Sequence, residues 1–275
     1  MANFSLEDVK TLRERLGTGM VDTKNALVEA DGDMDKAVEI LRLKGAKGNA
    51  KRADRSTSEG LVAAKAEGGK ATIIELACET DFVAKGDKFI ALSSKVLDAV
   101  VAAGATTAEQ GQAAAAGSQT VADLINDEAA IIGEKIELRR VAVVEGEKLA
   151  IYMHQTSQDL PPQVGVVVGY AGSDDETARS IAMHISFADP QFLAREDVPA
   201  AEVEKERQIV TEITRQEGKP EAQIDKIVDG RLAAFYKQVA LLEQDYARDD
   251  KQKVSKVLSD AGLTVSGFVR FKVGA

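Results

Sequence analysis

The sequence has no tryptophan, one cysteine and five prolines in 275 residues, and only 4% of it is aromatic. Each scarcity removes a class of function. A lone Cys78 cannot build an internal disulfide framework and fits a reducing compartment. Lying inside an apolar run, it reads as a small packing residue, with a reactive thiol as the alternative. The only histidines, His154 and His184, belong to no Cys/His cluster with zinc-ligand spacing, so no metal centre is expected. Three nucleotide- and acyl-handling signatures are missing: the G-x-x-x-x-G-K-[ST] phosphate loop, the G-x-G-x-x-G dinucleotide turn and the G-x-S-x-G nucleophile turn. No cofactor is expected. Few aromatics leave few platforms for stacking single-stranded nucleic acid. No run of about 18 apolar residues occurs, so no membrane span is expected. The stretch Met1–Asp8 lacks both a basic region and a hydrophobic segment, and is too acidic for a transit peptide. A cytoplasmic location follows as the expectation.

What is present suits a soluble globular protein of two or three modules: 44% apolar and 29% charged residues, with length enough for a sizeable core. The formal net charge is -10. Residues 1–55 carry 11 Lys/Arg against 10 Asp/Glu, so the acid excess lies beyond them. An acidic body disfavours phosphate backbones, and no direct contact with nucleic acid is expected.

Along the chain, Ser5-Leu6-Glu7-Asp8 has the form of a capping box, with Leu6, Val9, Leu12 and Leu16 following at helical spacing. Gly17-Thr18-Gly19 stops that helix. Ala26, Leu27 and Ala30 mark a second. Asp33 caps a third, with Met34, Ala37, Val38 and Leu41 on its inner face. Residues 45–60 gather Gly45, Gly48 and Gly60 around Lys47, Lys51, Arg52 and Arg55 and read as a basic linker, either a solvated tether or an electrostatic contact. Beyond it, Leu61–Ala66 and Thr72–Leu76 flank Glu67-Gly68-Gly69-Lys70 as a hairpin. A helix then runs to about Ala103, residues 102–119 look loose, and a helix near 121–132 precedes a strand at Ile136–Val144. The order strand, turn, strand, helix recurs at Leu149–Tyr170 and 175–187, implying a weak internal duplication. Residues 199–237 form an antiparallel helical hairpin, either an association arm or ordinary packing. Val265–Val273 closes a sheet. The fold class is α+β, with modules at 1–55, 56–147 and 148–275.

One stretch stands out. The apolar run Ala71–Cys78 reads as a buried strand, and Phe89, Leu92 and Val96 as a helix face. Between them, Glu79-Thr80-Asp81-Phe82-Val83-Ala84-Lys85 places an acid and a large aromatic at a strand-to-helix turn. From spacing alone Asp81 is an N-cap, with Thr80 as competitor.

Three strings together carry a resemblance: Leu12–Leu27 (LRERLGTGMVDTKNAL), Thr80–Lys85 (TDFVAK) and Gly267–Phe271 (GFVRF). They resemble bacterial translation elongation factor Ts, the family of nucleotide exchange factors for the GTPase elongation factor Tu. The resemblance implies a ubiquitin-associated-like three-helix bundle, a two-part α+β core and an inserted helical hairpin. It implies elongation factor Tu as partner, no covalent chemistry, and Phe82 as a group that intrudes between the partner's helices and displaces what holds Mg²⁺ and the β-phosphate. Asp81 accompanies it, with Thr80 and Val83 beside it. Lys10, Arg13, Met20 and Val21 match a docking surface on the bundle. On residue type alone, though, Met20 and Val21 could equally be bundle core, and Lys10 and Arg13 a solvated face. His154 matches a strand-end histidine near the partner's phosphate loop; His184 is left as structural. The hairpin matches a dimerisation element. The sequence given ends at Ala275, where some members continue into a further helix, and no contact from such a helix is expected. The alternative function is a small-molecule enzyme using Cys78, Asp81 and His154 in one pocket. A ribosome- or RNA-binding factor is a third reading, disfavoured by the acidic body.

Overall fold

The computed structural model describes residues 3–275; Met1 and Ala2, part of the N-terminal stretch read above, lie outside the described residues. Three helices come first: α1 (Leu6–Leu16), α2 (Met20–Glu29) and α3 (Met34–Arg52). Ser5 and Asp8 form the capping box, the Ser5 amide donating to Asp8 at 2.7 Å and the Asp8 amide to Ser5 Oγ at 3.2 Å. Asp33 caps α3 by accepting from the Asp35 and Lys36 amides. Val9, Leu12, Ala26, Leu27, Ala37, Val38 and Leu41 make the bundle's core.

The predicted linker is half helix. α3 continues without a break through Gly45 and Gly48 to Arg52. Glycine weakens a helix interior, but a Cβ on Gly45 would sit 2.8 Å from the Ala130 Cβ, so the bare backbone lets α3 lie directly on a later helix. Asn49 donates to the Asn126 carbonyl at 2.8 Å and Arg52 to that of Ala129 at 3.3 Å, fastening the seat. Tertiary packing overrode a local breaker signal.

The first sheet follows: β1 (Glu59–Glu67) and β2 (Lys70–Cys78) pair antiparallel from Glu59↔Cys78 to Glu67↔Lys70. Gly68 and Gly69, both at positive φ, supply the two-residue turn. The helix predicted to run unbroken from Phe82 to Ala103 is two helices, α4 (Asp81–Ala84) and α5 (Asp87–Ala103), separated at Gly86, the N-cap of α5. The stretch 102–119 is ordered. It holds α6 (Ala108–Ala113) and a small hairpin, β3 (Ala115–Ala116) with β4 (Gln119–Thr120). Ala105, Gly111 and Ala114 are buried there, because small side chains let this segment press onto Leu138 and Val141. α7 (Val121–Ile132) and β5 (Ile136–Glu145) complete the unit, β5 pairing with β2.

β6 (Lys148–His154), β7 (Val164–Ala171) and α8 (Asp175–Ala188) repeat the hairpin-plus-helix order. α9 (Ala200–Gln216) and α10 (Glu221–Val239) form the helical hairpin. Its seam of Val210, Ile224, Val228 and Leu232 is a cluster of its own, separate from the sheet cores, so the hairpin packs mainly on itself. A pair absent from the sequence reading, β8 (Asp245–Tyr246) with β9 (Asp249–Lys253), precedes α11 (Val254–Asp260) and β10 (Thr264–Lys272). The sheet orders are β1-β2-β5 and β10-β7-β6, so in each the third strand joins the far side of the second. The sheets face each other across Val62, Ala71, Ile73, Val144, Val167 and Phe271. Helices cover the outer faces: α5 and α7 pack on the first sheet, α8 and α11 on the second. The architecture is α+β. No helix among the described residues is long and apolar enough to cross a membrane.

Glu75, fully buried in β2, fastens one end of the sandwich. A β-bulge between Glu75 and Leu76 inserts Arg139 as an extra residue in β5, so consecutive Arg139 and Arg140 both reach the carboxylate, at 3.2 and 2.5 Å. The Gly274 amide donates to the same carboxylate at 3.2 Å, tying down the chain after β10. A buried carboxylate persists only when so fully partnered.

Candidate functional site

β2 delivers the chain to the turn at Glu79-Thr80. Thr80, not Asp81, is the N-cap of α4: its hydroxyl accepts from the Val83 amide at 3.4 Å, and Asp81 is the first helical residue. The reason is geometric. Thr80 leaves the strand in extended backbone, which the capping position requires, and its Oγ reaches the third helical amide. Asp81 still sits favourably at the helix start and pairs with Lys85 at 3.4 Å.

Within α4, Ala84 is buried and Val83 half-buried against the first core, which leaves Phe82 on the outer side, 75% exposed. Lys85 Nζ lies 4.5 Å from the centre of the Phe82 ring, so one lysine contacts both the acid and the aromatic. A single-turn helix has too few internal hydrogen bonds to hold such a tip alone. Its support comes from the turn between α7 and β5. Glu134 Oε2 accepts from the amides of Glu79 and Thr80, each at 3.1 Å, and Glu134 Oε1 accepts from the Thr80 hydroxyl at 2.6 Å. In return Glu79 accepts from the Lys135 amide at 2.6 Å and from Arg55 at 3.2 Å. The Lys135 amide, and secondarily Arg55, hold the Glu79 carboxyl below the usual carboxylate range.

The other expected positions lie on α1, at the start of α2 and at the end of β6. Gly17 packs on Ile131, near the end of α7, so Met20 and Val21 begin α2 just beyond that contact. Both are exposed, at 52% and 70%, which removes the bundle-core reading. Lys10 is exposed. Arg13 is half-buried, and among the described residues its Nε is shielded with no hydrogen-bond partner. His154, exposed at the end of β6, bonds the Tyr152 hydroxyl through Nδ1 at 3.2 Å. In the segment after it, Leu160 packs on the first core and the Pro162 carbonyl accepts from Val62 at 2.8 Å. Among the described residues, the bundle turn at Gly17 and the Glu79-Thr80 turn both meet the α7–β5 region, at Ile131 and Glu134.

Among the described residues, Cys78, Asp81 and His154 line neither of two clefts on the surface. The thiol is buried and donates to the Thr80 carbonyl at 3.3 Å, and burial pushes its pKa up to about 12. These two open clefts, of about 350 and 330 Å³, are lined chiefly by Arg55, Thr57, Lys135 and Arg139 in one and Arg140, Asp189 and Arg270 in the other. His184 is buried as an internal strut. Its Nδ1 accepts from the Ala247 amide at 3.1 Å and its Nε2 meets Gln244 at 2.9 Å, and burial lowers its pKa. Among the described residues no group of His, Cys, Asp and Glu is arranged to hold a metal.

Sequence reading missed Glu134, Glu79 and Lys85 as parts of the site. Lys85 carried a usable signal, four residues after Asp81 and three after Phe82. Glu134 carried none, lying 54 residues from Thr80.

The site is thus an exposed aromatic presented by a braced turn on an α+β frame. Residues 79–275 match the sequence profile of the family described as Elongation factor TS. Over the full length of both chains, the protein is 75% identical to elongation factor Ts of Leifsonia xyli subsp. xyli (strain CTCB07), and 71% to that of Clavibacter michiganensis subsp. michiganensis (strain NCPPB 382). It is 54% identical, again over the whole of both, to elongation factor Ts of Tropheryma whipplei (strain Twist). The chain belongs to the elongation factor Ts family.

Proposed function

We propose that this protein is a guanine nucleotide exchange factor of translation elongation, acting in the cytoplasm. It binds elongation factor Tu in its GDP form and promotes release of GDP so that GTP can reload. The observation that carries this reading is Phe82: a large apolar side chain, 75% exposed, held out on a braced single-turn helix. Exposing it has a use if a partner buries it, and burial of a Phe is worth roughly 1.5–3 kcal/mol. On docking, Phe82 enters between helices of the GTPase and displaces the elements holding Mg²⁺ and the β-phosphate. Asp81 and Thr80 border the intrusion.

Exchange needs no covalent step here. The factor must favour nucleotide-free elongation factor Tu over the loaded form, and by linkage nucleotide then weakens the factor equally. One Phe cannot supply the whole coupling, so a wider interface is required. Met20 and Val21 supply apolar area, Lys10 and Arg13 charge and donors, and His154 a contact near the partner's phosphate loop. In this reading residues 1–55 are a docking module, and 56–147 and 148–275 are the two parts of the core, with the hairpin at 199–237 as the second part's projecting arm and its route to homodimerisation. Release of labelled GDP from purified elongation factor Tu tests the proposal. Addition of this chain accelerates release in the expected outcome; an unchanged rate at saturating concentration overturns it.

A further inference from the structure

Resting on that reading of the tip, we infer that Glu134 is a positioning residue for nucleotide exchange: its carboxylate fixes the strand-to-helix turn at Glu79-Thr80 and so pre-orients Phe82. Three donors converge on it from two consecutive residues, the amides of Glu79 and Thr80 at 3.1 Å each and the Thr80 hydroxyl at 2.6 Å. That hydroxyl is the same group that caps α4 through Val83, so the carboxylate orients the cap and the cap orients the helix bearing Phe82. Glu79 answers by accepting from the Lys135 amide at 2.6 Å, which locks the two turns reciprocally. Two carboxylates so close would repel. The Lys135 amide and Arg55 on Glu79, and the Thr80 hydroxyl with both amides on Glu134, offset that repulsion.

Without this brace the turn has ordinary surface freedom, and ordering its backbone costs conformational entropy. The cost is met in folding instead of at docking. The tip is engaged when nucleotide leaves, whereas encounter draws on the wider interface, so the brace acts on the maximal rate of release more than on the concentration needed for half of it.

The experiment measures labelled-GDP release from elongation factor Tu across concentrations of the full-length chain, alongside amide hydrogen exchange over residues 79–85. Glu134→Ala lowers the maximal rate about tenfold, the size expected for one to two net hydrogen bonds. It leaves the half-saturating concentration within about twofold and speeds exchange of the Glu79 and Thr80 amides. Glu134→Gln, which keeps an acceptor toward both amides, recovers most of the rate. If Glu134→Ala does not fold, Thr80→Val removes the shared hydroxyl and is expected to slow release similarly. Parental release by Glu134→Ala, or by Thr80→Val in its place, with Phe82→Ala slow, overturns the positioning role and leaves the docking reading standing. Parental release by Phe82→Ala overturns the docking reading itself. Unchanged amide exchange in Glu134→Ala overturns the brace either way.

Discussion

Each sheet sends its central strand into a helix, and the two joints differ. After β7 the chain turns through Gly172-Ser173 and enters α8 directly, with Asp174 as cap, accepting from the Thr177 amide at 2.9 Å. The next residue, Asp175, accepts from the Tyr170 hydroxyl at 2.9 Å and from Lys148 at 2.7 Å, so this joint is stapled to its own sheet by neighbouring groups. Burial, with Asp175 beside it, pushes the Tyr170 phenol up to about 12. After β2, the same joint contains an extra helical turn, α4, that swings Phe82 outward before α5 begins. It is braced by Glu134 from 54 residues away. One frame thus carries a plain joint and an elaborated one; at the elaborated joint Phe82 itself stands on the surface, whereas the exposed Phe187 of the other half lies at the far end of α8.

The contrast can be broken most sharply with two phenylalanines seven residues apart. Phe89 is 1% exposed in the core beneath α5, and Phe82 is 75% exposed. Phe89→Ala should cost about 3–5 kcal/mol in urea unfolding. Phe82→Ala should stay within about 0.5 kcal/mol of the parent in the same assay. Equal stability losses would mean that Phe82 is a packing residue.

Next in size is the functional effect of Phe82→Ala. Loss of its burial in the partner, roughly 1.5–3 kcal/mol, corresponds to GDP release about 10- to 150-fold slower. A parental rate refutes the wedge. Smaller still, Tyr170→Phe unstaples the plain joint and should lower stability by about 1 kcal/mol while GDP release keeps its parental rate. If release slows instead, the plain joint takes part in exchange and the comparison loses its point. The smallest effect belongs to Lys85→Ala. It removes a cation over the Phe82 ring and an exposed i,i+4 pair, together worth about 0.5–1 kcal/mol, so release should slow by less than about fivefold. The deficit should shrink as salt rises; a salt-independent deficit would point to lost packing by the lysine stem.

Much of the frame was readable because it is written locally. The Ser5/Asp8 box, the Asp33 cap, the Gly68-Gly69 turn and the alternating strands depend on residues within a few positions of one another. Phe82 was readable for the same reason, as an aromatic caught between a strand and a helix. Where the reading failed, distant packing decided. Gly45 looked like a breaker until α7 explained why α3 needs a bare backbone there. Residues 102–119 looked loose because their alanines and glycines carry no pattern, yet they fill a narrow space over Leu138. Asp81 lost the cap to Thr80 because strand exit, not residue preference, set which residue held extended backbone.

By itself, then, the sequence determined the order of the longer elements, the absence of disulfide and zinc-ligand patterns, and the place of Phe82 at a turn, since period, capping and turn chemistry are short-range. Only the tertiary structure decided that the turn is hydrogen-bonded to Glu134 and that the bundle lies against α7. Those facts rest on hydrogen bonds and close approaches between residues more than fifty positions apart, such as Glu134 with Thr80 and Asn49 with Asn126, and no local pattern encodes them.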